Sequence, residues 1–345
     1  MSVLLERGFF VRTPAWHGEG DVLGDYPGKA EAMELAGHNW DVIEVPCYAG
    51  IPNDVLVAAG LDAAGPNGLL RREKNLSIHI RSDNLFTLAA HKESFERIPN
   101  SLAYEVAEIL FDQGFRYDAG VSLDGGKVNA LTLLLDEPIR ITSDSSLTLP
   151  YGVLRWAHDG SASLSAQSGA IRVVCMNTWQ ASESEGEKLG TSFVFRHTKN
   201  VRERIEDAKE AIKGVRAGID RYREIAEELA AITVTPEQRD WYVSTIVGDR
   251  DGQVSRSTAA SDRVKENVER ERAKINALFF KVGDKATIDE AHRLTGYGLY
   301  QAGSEYFDHL RNYRSKDSYV KRTLLTASSE KGNLRRTIEE ALVAA

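Results

Sequence analysis

The sequence is poor in cysteine, and the thiols it has stand apart. Cys47 and Cys175 are the only two. Neither belongs to a C-x-x-C pair, which excludes a disulfide framework and a cysteine zinc site and fits a reducing cytosol. No apolar run approaches the 18 or so residues that a membrane span needs. The opening stretch, Met1 to Arg12, is broken by Glu6 and Arg7. No signal peptide and no membrane partner is expected, and a cytoplasmic location is. There is no internal repeat, no low-complexity tract and no H-E-x-x-H. Gly125-Gly126 reads as a turn rather than a phosphate loop, because no Gly-Lys-Ser/Thr follows. No cofactor, no metal site and no catalytic residue is therefore expected.

What is present is enough for a sizeable core. Of 345 residues, 42% are apolar and 27% charged, which excludes global disorder and suggests two domains or one with an extension. Residues 1–28 read as an irregular arm, with Pro14, Gly18, Gly20, Gly24, Pro27 and Gly28 crowding its second half. Lys29–Ala36 reads as a helix stopped by Gly37. Trp40–Tyr48 reads as a strand closed by Pro46 and Gly50, and Leu76–Ile80 with Leu85–Ala89 as a hairpin. Leu102, Val106, Ile109 and Leu110 give Ser101–Gln113 the spacing of an amphipathic helix, stopped at Gly114. Tyr117–Leu123 and Lys127–Leu135 flank Asp124-Gly125-Gly126, a strong hairpin signal. Further strands are expected over Pro150–Thr178.

The pattern changes near Asn200. Ile205, Ala208, Ile212, Val215 and Ile219 recur at three or four residues, so Val201–Leu229 reads as helix. A second helix opens at Pro236 and runs to about Val247. Gly248–Ser261 reads as a loop, Asp262–Phe280 as a charged helix, and Ile288–Arg311 as a helix interrupted by Gly296, Gly298 and Gly303. Strands come first and helices second. That order predicts an α+β fold, with an α+β core over 29–200 and a helical C-terminal region over 201–345 that ends in basic residues.

Two basic clusters stand out against a net charge of −8. His309–Arg336 carries eight Lys and Arg against two acids, with Tyr313 and Tyr319 interleaved; it nets +6 and leaves −14 elsewhere. Cations with aromatics suit a single nucleic-acid strand, whose phosphates pair and whose bases stack; a solvated helical tail has the same composition. The second cluster is Arg196, His197, Lys199, Arg202 and Arg204, where the strand Ser192–Phe195 meets the long helix. A helix start favours anions and nearby cations reinforce it, although Glu206, Asp207 and Glu210 follow as ordinary helix partners. Arg172 is the only charge in the apolar run Ile171–Met176, just before Asn177. A charge in such a run needs a partner, a ligand or an edge position. The eight histidines show no metal-helix spacing, so His158-Asp159 and Asp308-His309 read first as structural.

The residues also resemble a known family, the phage/plasmid-like proteins. The resemblance is carried by Trp16-His17-Gly18 with Gly20, by Ala30–Ala36 leading to Trp40, and by the Gly125-Gly126 hairpin. It continues through His158-Asp159-Gly160-Ser161, Arg172 to Thr178, Arg196-His197-Thr198-Lys199-Asn200 and Glu305-Tyr306-Phe307-Asp308-His309. These blocks span nearly the whole chain in order. Met176 and Lys199 depart from the family pattern, at positions where a polar residue and a glycine are expected.

The family is one of unknown function with a distant similarity to Rad-type single-strand annealing proteins. That similarity implies a small curved antiparallel sheet packed on a helix, then a mostly helical half. It also implies ATP-independent annealing of single-stranded DNA in recombination by rings or filaments of one chain, in a host cytoplasm. On that reading Arg172, Arg196, Lys199, Arg202, Arg311 and Arg314 meet phosphates, Asn177 and His197 orient them, and a host or phage recombination protein is a further partner. Two other classes remain open at this point: a protein that binds a host factor without DNA, and a metal-dependent hydrolase built on His158, Asp159 and Asp308.

Overall fold

The computed structural model describes residues 5–11, 20–172, 177–180, 192–197, 200–203, 205, 215–249, 252–280, 287–311 and 333–344. Two sheets and a helical half make up the chain. The strands are β1 (Leu5–Phe10), β2 (Asp21–Val22), β3 (Val42–Ile51), β4 (Leu69–Arg81), β5 (Thr87–Lys92), β6 (Phe115–Leu123), β7 (Val128–Leu135), β8 (Thr148–Ala157), β9 (Leu164–Arg172), β10 (Asn177–Gln180) and β11 (Ser192–Phe195). The main sheet has eight strands in the order β10-β9-β8-β7-β6-β1-β2, with β11 also on β9; β3-β4-β5 form a separate sheet of three. Every pair is antiparallel except β1 with β2.

The α+β expectation holds, and the local reasons are visible. β6 and β7 pair in register from Phe115↔Leu135 to Leu123↔Val128, closed by the Asp124-Gly125-Gly126 turn. Gly126 has φ +87°, and a Cβ there would lie 2.5 Å from the Trp40 ring. Only glycine fits both demands. β7 is central and buried on both faces, so it reads as an almost unbroken apolar run.

One face of the main sheet is covered by helices α1 (Lys29–Leu35) and α3 (Asn100–Glu108); α2 (Asn53–Ala58) belongs to the smaller sheet's far end. Leu102, Ala103, Val106 and Ala107 of α3 pack with Phe9, Tyr104, Phe115, Tyr117, Leu131, Leu154 and Trp156. Val201, Ile205 and Ile219 join the same core, so the helical half is seated directly on the sheet. Its helices are α4 (Val215–Ala231), α5 (Pro236–Ile246), α6 (Asp262–Phe279), α7 (Gly296–Glu305) and α8 (Leu334–Ala344). They enclose a second core of Tyr222, Leu229, Tyr242, Ile275, Phe279, Tyr297, Leu299, Leu334 and Ile338. Helix α4 is shared: Ile219 enters the first core, and Tyr222, Ile225 and Leu229 enter the second.

Several expectations are corrected. Residues 5–10, read as part of an irregular arm, form β1 on the edge of β6. The Glu6-Arg7 interruption misleads because Glu6 is paired with the buried Arg81 at 2.6 Å. β3 runs through Pro46 instead of stopping there. It is an edge strand, where proline is tolerated, and its register slips between Pro46 and Tyr48. Within Gly248–Ser261, residues 253–256 form a helical turn. Asp249 anchors it, accepting from the Val254 amide and Ser255 hydroxyl and pairing with Arg272 at 2.6 Å. The span Ile288–Arg311 divides into a 3-10 turn at 290–292, helix α7 and a π turn at 306–310. Gly298 and Gly303 do not break α7. They let it pass against other chain segments: a Cβ on Gly298 would strike the His292 carbonyl, and one on Gly303 the Tyr242 hydroxyl.

Candidate nucleic-acid interface

The residues expected to bind DNA fall into three groups. Arg172 ends β9 and lies opposite Asn177 of β10 in register, so the backbone brings these two together. Arg196 follows β11, whose last residue Phe195 pairs with Leu164 at the other end of β9. At about 3.3 Å per residue, the two groups sit roughly 25 Å apart along one strand. They are two stations at opposite ends of β9, which is itself covered by β8 on one side and by β10 and β11 on the other, rather than one pocket. Arg196 is exposed, and Arg202 lies six residues further on in the chain, exposed and 3.9 Å from Glu105 of α3. Lys199 and Arg314 lie outside the described residues, as does most of the basic segment 311–336. Arg311 belongs to the helical half, with its guanidinium 5.7 Å from the centre of the Phe307 ring.

His197 makes its hydrogen bonds with backbone carbonyls. Its Nδ1 lies 2.9 Å from the Glu96 carbonyl and its Nε2 3.2 Å from the Ala162 carbonyl. Its ring stacks on Phe95 at 4.2 Å. On the other face of Phe95, His91 stacks at 3.8 Å, nearly parallel. His197 therefore ties the end of β11 to the chain between β5 and α3. Burial pushes its pKa down, so it is a neutral spacer holding the junction that carries Arg196 and Arg202.

This stack is part of a larger buried network that residue spacing does not reveal. His38, His79, His91, His158 and His197 come from five separate segments and converge between the two sheets. Asn100, the first residue of α3, is its centre. Its Oδ1 accepts from Trp156 Nε1 at 2.9 Å and from His158 Nε2 at 2.8 Å, and its Nδ2 donates to the carbonyls of His38 and Trp40. His38 Nε2 donates to the Val121 carbonyl, which leaves Nδ1 to accept from Tyr104. His91 Nε2 donates to the His158 carbonyl. Desolvation dominates each titration: it lowers His38 to about 3, His158 to about 3 and His79 to about 4, with neighbouring histidines adding to the last two. These rings are neutral at pH 7.

The smaller sheet is held to the main one at this network and at Arg81. Arg81 is buried, donates to Glu6, Asp83 and the Gly125 carbonyl, and stands 4.6 Å from the centre of the Trp40 ring. The apolar part of this attachment is small, formed by Trp40, Val42 and Leu88. Ser77 Oγ and His79 Nε2 are buried there without a hydrogen-bond partner among the described residues.

Of the residues named for a possible hydrolase, His158 and Asp159 are engaged within the fold, and the side chain of Asp308 lies outside the described residues. His158 is buried with its ring bound to Asn100, and Asp159 Oδ1 accepts from the Ser161 amide as a turn former. Among the described residues, no three His, Cys, Asp or Glu side chains are grouped to hold a metal. No helix among them is long and apolar enough to cross a membrane.

Fold and site together define an α+β protein whose sheet and helical half meet at a cationic strand-to-helix junction. Its family follows from the sequence: the chain belongs to the family described as Domain of unknown function (DUF932), whose model matches residues 87–328. The match begins at the first residue of β5 and leaves out β1 to β4. No curated protein and no solved structure matches the chain.

Proposed function

We propose that this protein binds single-stranded DNA and anneals complementary strands without ATP, in phage or plasmid recombination, as a ring or filament of identical subunits. The observation that carries the reading is the spacing of cationic residues along β9. Arg172 stands at one end, Arg196 and Arg202 beyond the other, and a DNA strand running across the outer strands β10 and β11 meets cations at both stations. Phosphate contacts of this kind release counter-ions, so affinity falls with salt at about 0.7 log units per log unit for each phosphate neutralised on a single strand. Assembly of several subunits aligns the stations into a longer track and reconciles polyanion binding with a subunit charge of −8. The resemblance to annealing proteins supplies the rest of the reading.

The test is fluorescence anisotropy of a labelled single-stranded oligonucleotide across a salt series. Binding with a negative log–log slope is expected, weakened by Arg196→Gln with Arg202→Gln. Absence of salt-sensitive binding by the intact chain would falsify the proposal.

A further inference from the structure

β3 and β4 continue as a two-stranded ribbon well beyond the points where the smaller sheet is anchored. Those anchors, Arg81, His79 and His91, are all at its near end. From the Pro46–Ser77 pair to the Ile51–Leu69 pair the ribbon extends roughly 17 Å along β3 at about 3.3 Å per residue, with extra β4 residues taken up at the register shift. It is closed by α2 and by Asn53, which donates to the Gly65 carbonyl and accepts from the Ala64 amide. The distal strand residues are exposed or half-buried on both faces. Nothing in the apolar cores requires so long a projection.

Its chemistry is specific. Tyr48 lies directly opposite Arg72 in register, so both point from one face, with Leu70 two residues along the same strand. Tyr48 is 53% exposed and Leu70 69%. Arg72 and Lys74 have no ion-pair or hydrogen-bond partner among the described residues. The only acid in β4 is Glu73, and Arg71 occupies it at 3.0 Å. The face carrying Tyr48 thus presents Arg72 without a counter-charge beside an exposed aromatic ring, and Lys74 follows in the irregular stretch between Arg72 and Ser77. Unpaired cations on a chain of net charge −8 call for a polyanion, and the ring supplies a platform that any base can stack on. Apolar side chains at the end of such an arm also suit insertion against unstacked bases. Val57 and Leu61, 61% and 57% exposed, stand there.

We infer that the β3–β4 ribbon is a second nucleic-acid contact, separate from the cations at the ends of β9: Arg72 and Lys74 bind phosphates and Tyr48 stacks under a base. The inference rests on the DNA-binding reading above and adds a site that lies outside the family segment 87–328. The experiment uses the full chain and a fluorescein-labelled oligothymidylate of about 30 nucleotides. Arg72→Gln with Lys74→Gln lowers affinity at least tenfold and reduces the magnitude of the salt slope by about 1.4, two phosphates' worth. Tyr48→Ser lowers affinity at least fivefold with the slope unchanged. Arg72→Lys keeps the slope.

The outcomes separate the two readings. If the intact chain binds and Arg196→Gln with Arg202→Gln weakens it while the ribbon variants bind as the parent does, the ribbon inference is overturned and the β9 site stands. If the intact chain does not bind, both fall. If the ribbon variants change the subunit number by light scattering with affinity per subunit unaltered, the ribbon meets a second copy of the chain and the nucleic-acid assignment is overturned. All altered side chains are exposed, so a melting temperature close to the parent's excludes misfolding as the cause.

Discussion

Asn100 and His158 meet at 2.8 Å through Oδ1 and Nε2, in a site that solvent does not reach. The contact is one of four made by a single amide, and the other three go to Trp156 and to the carbonyls of His38 and Trp40. Replacing Asn100 by leucine leaves two buried donors and the Trp40 carbonyl unpaired, while the His38 carbonyl keeps the Trp40 amide. Each costs about 1–3 kcal/mol. The expected loss is about 4 kcal/mol or more, a large part of a domain's usual stability of about 5–15 kcal/mol. Urea unfolding of Asn100→Leu checks it; a loss under about 1 kcal/mol would mean the network is not cooperative.

Acid should loosen the same region. His38, His79 and His158 have folded pKa values of about 3, 4 and 3, below the ordinary 6.5. As pH falls through 6.5 the unfolded chain takes up protons that the fold refuses, so stability is full above that value and drains away toward pH 4. By pH 5 each of the three contributes a loss of roughly 2 kcal/mol. Hydrogen exchange by mass spectrometry at pH 7 and pH 5, corrected for intrinsic rates, should show β3 to β5 opening first. Uniform exchange across both sheets would contradict this.

His79 is the member whose removal is best tolerated. Its Nε2 is buried and unpartnered among the described residues, so the ring carries a standing cost of about 1–3 kcal/mol. His79→Leu trades that cost against lost ring contacts with His91 and Phe95. The expected change in stability at pH 7 is within about 1 kcal/mol, and the acid sensitivity between pH 7 and 5 should fall by about a third. A destabilisation as large as that of Asn100→Leu would show that His79 has a partner in solution.

Gly303→Ala tests how tightly the helical half is closed. An alanine gains about 1 kcal/mol of helix propensity over glycine. Against that, its Cβ would overlap the Tyr242 hydroxyl and come within 2.8 Å of Leu334. Overpacking costs about 1–3 kcal/mol, and the Tyr242 bond to the Leu299 carbonyl, 2.7 Å long, adds about 1 more when displaced. The crowding wins, and a net loss of about 1–3 kcal/mol is expected by thermal unfolding. An unchanged or raised melting temperature would show that α7 and α8 can separate freely.

Much of the secondary structure was legible because its causes are local. The turn Asp124-Gly125-Gly126 names its own hairpin, and the apolar spacing over 101–113 finds α3 with an error of a few residues. β1 is hidden because its charged residues find partners far away in sequence, Glu6 at Arg81 of β4 and Arg7 at the Glu34 carbonyl of α1. Proline at 46 was read as a stop because a sequence does not say which strand is at an edge. The glycines of α7 were read as breaks because the chain segments they admit, at His292 and Tyr242, are not their neighbours in sequence.

The candidate site divides in the same way. Composition and spacing located the cations Arg172, Arg196 and Arg202, and the register of β9 with β10 places Arg172 opposite Asn177. By itself the sequence determined the fold class, the order of strands before helices, most turns and the charge at the strand-to-helix junction, since each follows from residues within one or two turns of one another. Only the tertiary structure decided that Arg172 and Arg196 stand at opposite ends of one strand and that Arg72 faces Tyr48 on a free ribbon. It alone made His197 a structural spacer and gathered five histidines around Asn100. Those facts depend on which distant segments lose water together, and burial is a property of the whole fold rather than of any stretch of it.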